Sequence, residues 1–256
     1  MKKVTYVICF CILAILSCNK NQGFISKQQY GSIQHASSLL KDIWVDNNKR
    51  NTIIYDKKNR IAEVRTYYQS GNKTDFVSET YQYNSHNQII LRKTSQGIID
   101  HYVYENGLLT KAYSENINSP EWKPSLEYEY KDNKIVKAKK FFGKVESSYI
   151  LFEYDKKGNT TSRKEYLQGV DKPIAEIICT YDINPNPFQD LGNYPIDMIQ
   201  KNNIASSYIY AIEMSSLATT YDTEYEYNEK HLPVSSITFS RRFEDDRAIK
   251  RTYVYK

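Results

Sequence analysis

The chain has 256 residues, 40% of them apolar and 25% charged, which is enough for one sizeable domain. Its net charge is +5, and two of the basic residues, Lys2 and Lys3, fall in a leader segment. Charges of both signs alternate along the rest, as on an ordinary solvated surface, and this argues against a nucleic-acid partner.

Residues 1–18 read MKKVTYVICFCILAILSC. Lys2 and Lys3 form a basic start. The apolar run from Val4 to Leu16 is too short for a permanent membrane span. Ile15-Leu16-Ser17-Cys18 resembles the lipobox of bacterial lipoproteins, with Leu16 bulkier than the usual small residue. That resemblance implies cleavage before Cys18 and acylation of its sulfur. More than one acyl chain gives a stable anchor where one is marginal. Cys9 and Cys11 leave with the leader and Cys18 takes the lipid. Cys179 alone stays in the domain, so no disulfide forms there, and its apolar context reads as a buried thiol.

Residues 19–38 are polar and weakly patterned, as in a flexible tether. Residues 39–256 read as a single β-repeat domain. A first strand is expected over Leu39 to Val45, with a turn at Asn47-Asn48 and a return over Asn51 to Tyr55. The repeated unit is clearest from Tyr149 to Gly169. Phe152 and Tyr154 share a strand face, Asp155 opens a turn, and Gly158 supplies the left-handed residue that closes it. Tyr55-Asp56, Tyr83-Asn84 and Tyr227-Asn228 begin further copies, with Asn59, Asn87 and His231 in the left-handed slot. Two copies are one residue shorter. They carry Asn106-Gly107 and Asp132-Asn133, dipeptides suited to two-residue hairpin loops. Copies recur roughly every 20–30 residues, the range of a repeat architecture.

Pro120 and Pro124 flank Trp122 in a longer loop. Residues 182–207 form a Pro/Asn-rich insertion, with a short helix expected from Pro195 to Lys201. Strands resume over Tyr208 to Met214, Thr219 to Tyr227, Val234 to Phe243 and Ile249 to Tyr255. The expected fold is all-β: an antiparallel meander of a dozen or more strands, strongly curved or rolled into an open barrel.

The Tyr-Asp-x-x-Gly pattern resembles the YD repeats of RHS-type proteins. The order of parts resembles a family of Bacteroides-type secreted lipoproteins with a Tyr-rich repeat domain of unknown function. The matching features are Cys18, the copies at Tyr55, Tyr83, Tyr154 and Tyr227, the break at Asn186-Pro187-Phe188, and Asn202-Asn203. The resemblance implies a cell-envelope β protein and brings no catalytic residues. The chain departs from the pattern at Asn159-Thr160, where Arg-Leu is usual, so that copy is expected to pack differently.

Tyrosine is abundant, at 24 copies against 2 tryptophans. Its strand propensity and polar tip suit a thin core as well as a ligand-stacking surface. His35, His86, His101 and His231 sit in unrelated contexts, so neither metal nor cofactor is expected. Glu244-Asp245-Asp246 reads as a charged hairpin tip. No nucleophile, dinucleotide or phosphate motif occurs, and no catalytic residue is assigned. The expectation is a lipid-anchored envelope protein, on the outer membrane and facing the periplasm, since Asn19-Lys20-Asn21-Gln22 lacks an acidic export cluster. It is expected to be non-enzymatic, a binding or scaffold module for protein partners. The alternative is a glycan-binding module using Trp44, Trp122 and exposed tyrosines. An envelope hydrolase with converging carboxylates comes third.

Overall fold

A computed structural model describes residues 38–121, 123–187, 200–211, 218–241 and 248–256. The leader with Cys18, the tether up to residue 37, Trp122 and Glu244-Asp245-Asp246 lie outside the described residues. The strands are β1 Leu40–Val45, β2 Asn48–Tyr55, β3 Ile61–Ser70, β4 Lys73–Tyr83, β5 Ile89–Thr94 and β6 Ile98–Glu105. They continue with β7 Leu108–Asn116, β8 Pro124–Lys131, β9 Lys134–Phe142, β10 Val145–Tyr154 and β11 Thr160–Leu167. The last are β12 Ala175–Pro185, β13 Asn202–Ala211, β14 Thr219–Tyr227, β15 Pro233–Arg241 and β16 Ala248–Tyr255.

Each strand pairs antiparallel with its sequence neighbours, and β1 pairs with β16 to close the barrel. The expected open sheet is thus corrected to a closed barrel. Closure removes both sheet edges, which an open meander would leave unpaired. The curvature has a local source. The register slips where most copies reach their closing tyrosine, as at Tyr55, Tyr83, Tyr104, Tyr130, Tyr154 and Tyr227. A bulge bends its strand and increases its twist, so bulges in most copies curl the sheet steadily.

The turns follow the expected chemistry. Asn59, Asn87, Gly158 and His231 have φ of 58°, 61°, 90° and 59°. The acidic or amide residue that opens each turn ties it down. Asp56 Oδ1 accepts from the amides of Lys58 and Arg60 at 2.8 and 3.0 Å, and Asn84 Oδ1 does the same for His86 and Gln88. The short turns place Asn106 and Gly107, and Asp132 and Asn133, in the left-handed region.

Directly opposed residues of antiparallel neighbours share a face. The buried Tyr81, Tyr102, Ala112, Ala138 and Ile150 therefore define the inside of the barrel. A ring of tyrosines lines one rim of this inner face. Tyr55, Tyr83, Tyr104, Tyr130, Tyr154, Tyr181, Tyr225 and Tyr255 each donate to a carbonyl on the preceding strand, at 2.5–3.1 Å. The acceptors are the residues that open those strands or lie near their start, among them Leu40, Ile61, Ile89, Leu109 and Ile135. Each tyrosine thus runs along the wall over the aliphatic residue of the neighbouring copy. Leu40, Ile61 and Ile89 are 0% exposed as a result. These eight of the 24 tyrosines form a repeated wall lining. Tyr83→Phe is expected to lose about 1 kcal/mol with its hydrogen bond. Tyr83→Ala also uncovers Ile61 and is expected to lose about 3–5 kcal/mol. Urea denaturation of both variants checks the ratio.

The insertion is shorter than its sequence suggests. β12 continues through Asp182 to Pro185, which pairs with Asn202, so the excursion spans residues 186–201. Pro185 is tolerated because it is the last residue of its strand, beyond a register slip. Most of the helix expected from Pro195 lies outside the described residues, and Gln200 and Lys201 are not helical. The first strand begins at Leu40 rather than Leu39. β2 extends back to Asn48, because the tight turn sits at Asp46-Asn47 with φ of 46° and 64°.

Candidate functional site

Three surfaces are candidates: the inner wall, the outer wall and the rim opposite the tyrosine ring. On the inner wall, a charged cluster is in phase with the inward tyrosines. Arg92 on β5 faces Tyr81 on one side and Asp100 on the other. Its Nε donates to Asp100 Oδ2 at 2.6 Å and its Nη1 to Glu79 Oε2 at 3.5 Å. Ser114 Oγ donates to Asp100, and Tyr81 Oη donates to Glu79 at 2.5 Å. The Asp100 side chain is 2% exposed. Next to this group lies Tyr102, whose hydroxyl is buried without a hydrogen-bond partner among the described residues. Burial and the nearby carboxylates push its pKa up, against the pull of Arg92, so it stays a neutral donor.

A second polar group lies further round the inner wall. Lys140 Nζ and Ser148 Oγ both donate to Glu165 Oε1, at 2.7 and 3.0 Å. Burial alone would raise the Glu165 pKa, but Lys140 and Ser148 hold it below its ordinary value. A lowered carboxylate contributes stability above its unfolded pKa of about 4.3, and that stability is lost as pH falls through the folded value. Lys140→Met is expected to lower the melting temperature at pH 7 and to flatten or reverse the fall toward pH 4. Melting curves across that range check it.

Cys179 is on the same inner face, 8% exposed, and burial pushes its thiol up to about 11. It is an inert wall residue, as expected. His86 and His231 lie in turns, as expected. His101 is on the outer face, stacked on Tyr113 at 4.5 Å. Among the described residues, no group of three or more His, Cys, Asp or Glu is placed to hold a metal. The carboxylates that do converge, Glu79 and Asp100, are both engaged by Arg92.

Where β12 meets β13, Asp182 is ringed by Tyr227, which donates to it, and by the backbone and side-chain amides of Asn203 at 3.1 and 3.2 Å. Burial and this carboxylate push the Tyr227 hydroxyl up to about 12.

The outer wall is laced with ion pairs. They join Lys49 to Asp42, Lys111 to Glu127, Lys139 to Glu129, Lys164 to Glu176 and Arg241 to Asp222 across neighbouring strands, and Arg65 to Glu63 along β3. Of the aromatic residues expected to bind glycans, Trp44 faces outward with Lys49 Nζ 5.3 Å from its ring centre.

The two rims differ. The described chain enters at the tyrosine rim, where Lys256 N donates to Leu39 O at 2.9 Å. At the opposite rim, neighbouring hairpins carry bare apolar tips. Ile117 is 67% exposed, Phe142 55%, Val145 69%, Leu167 42% and Val170 40%. Sequence reading missed this arc and the Arg92 cluster. Both were signalled: Glu79 and Asp100 share the phase of Tyr81 and Tyr102, and Phe142-Gly143-Lys144-Val145 is a hairpin tip with two apolar residues.

No known protein family and no curated protein matches the sequence. Solved structures do match. A porin-like protein from Bacteroides uniformis superposes with a TM-score of 0.59 at 14% identity, over 87% of this chain and 97% of that one. A second porin-like protein, from Bacteroides vulgatus, gives a TM-score of 0.47 at 8% identity over 86% and 99%. At this identity, what the chain shares with the first of them is its fold. No helix among the described residues is long and apolar enough to cross a membrane, which leaves open what the strands do.

Proposed function

We propose that the chain is a lipid-anchored cell-envelope protein, held through Cys18 on the periplasmic side of the outer membrane, that works as a non-enzymatic binding or scaffold module for protein partners. The observation that carries this reading is the apolar arc at the rim opposite the chain's entry. The described chain starts beside Leu39 on the tyrosine rim, so the arc lies at the other end of the barrel from that entry. Exposed apolar groups gathered on adjacent hairpin tips are characteristic of protein contact surfaces. A photo-crosslinker at Val145 is expected to give a discrete protein adduct in living cells, abolished by Phe142→Glu. An unchanged adduct in that variant, or none in the parent, overturns the reading.

The inner wall favours the glycan alternative. Arg92 and Glu79, both partly exposed, offer donors and acceptors together on a concave face. Sugar hydroxyls, which both donate and accept, match such a set. Saturable binding of envelope polysaccharides or peptidoglycan fragments, lost on Glu79→Ala, would move the assignment to that surface.

A further inference from the structure

We infer that the outer wall of the barrel faces water over its whole height, so that the barrel stands clear of the bilayer and does not span it. A membrane barrel presents an apolar band to lipid and a polar face to its lumen. Here the polarity is inverted. In each of the triplets Tyr81-Gln82-Tyr83, Tyr128-Glu129-Tyr130, Phe152-Glu153-Tyr154 and Tyr225-Glu226-Tyr227 the aromatics face in, and the residue between them is exposed outside. Lys111, Glu127, Lys139 and Lys164 lie near the middle of their strands, where the acyl chains of a bilayer would be. Each lysine at that depth would disfavour insertion by roughly 30-fold or more, and the pairs recur around the circumference.

Strand length points the same way. A tilted strand needs about 9–11 residues to cross the hydrocarbon layer. β1 and β5 have 6 residues, and β2, β6, β8, β11 and β16 have 8. Apolar pairs do face outward, Tyr67 with Phe76 and Ile178 with Tyr208, but charged residues interrupt them. Val103 is opposed by Lys111, Leu151 by Lys164 and Val254 by Asp42, so no continuous belt forms.

The fold shared with a porin-like protein therefore brings no transmembrane pore to this chain. Whatever enters the lumen comes from the one aqueous compartment in which the barrel sits. This inference does not rest on the lipid at Cys18, and the test separates the two. Residues 19–256, which hold the whole barrel, are exported without lipid and mixed with phosphatidylethanolamine–phosphatidylglycerol vesicles. They are expected to purify without detergent as a single species and to stay at the bottom of a flotation gradient. The lipidated full chain is expected to float. If residues 19–256 float, or conduct in a planar bilayer, the inference is overturned. If the lipidated chain fails to float, the anchor reading fails and the wall inference stands. Should the exported form misfold, it is refolded from urea in buffer and in micelles side by side. Recovery in buffer supports the inference, and recovery only in micelles overturns it.

Discussion

Replacing Arg92 with methionine is expected to cost the barrel about 3–5 kcal/mol, the usual penalty for leaving a buried charge without its partner. Arg92 touches both Asp100 and Glu79, and Asp100 is sealed from water. Methionine fills much of the arginine's volume, so the loss would report charge more than cavity. Adding Asp100→Asn to Arg92→Met removes the orphaned charge and keeps an acceptor for Ser114. The double variant is expected to recover much of the loss. Urea midpoints of the two variants and the parent decide it. Equal losses in single and double variants would mean that Arg92 acts by packing alone.

Asn159→Ala is expected to cost about 2–4 kcal/mol, from several buried polar groups left unsatisfied at once. Asn159 is 0% exposed. Its Oδ1 accepts from the amides of Lys201 and Asn202 at 2.7 and 3.1 Å. Its Nδ2 donates to Asp155 Oδ2 and Asn202 Oδ1 at 2.9 and 3.0 Å. The neighbouring Thr160 amide donates to Gln200 Oε1 at 3.0 Å. One side chain therefore fastens the end of the 186–201 excursion to the β10–β11 turn. The variant is also expected to be cut faster by protease within residues 186–201. A stability loss with unchanged cleavage would mean that Asn159 matters only to its own turn.

These two positions show what the sequence makes legible. Asn159-Thr160 is visible as a break in the repeat, since Arg60-Ile61 stands in the corresponding place of another copy. What the break accomplishes was hidden, because its partners lie more than 40 residues away, across two strands. The turns were legible in detail, because Asp, Asn and Gly act on their own backbone within a few residues. Closure was not: whether β1 meets β16 depends on the summed twist of every bulge, which no single copy carries. The polarity of the wall was legible in phase. Tyr128, Tyr130 and Tyr154 alternate with Glu129 and Glu153, and a sheet places alternate residues on opposite faces. Which of those faces turned inward awaited the burial of Ile61, Ile89 and Tyr102. The apolar tip Phe142-Gly143-Lys144-Val145 was legible as a turn, with Gly143 at φ of 63°, but its place beside the tips of neighbouring hairpins depends on the closed sheet.

We infer a barrel bathed in water, with the lipid proposed at Cys18 as its only hold on a membrane. The most direct test is a polarity-sensitive fluorophore on a cysteine at Val103, an outward position 39% exposed. The label is read in the lipidated full chain bound to vesicles whose acyl chains are brominated. Water-like emission that the bromines do not quench is expected. Blue-shifted emission quenched by the acyl chains would place this wall in lipid and contradict it.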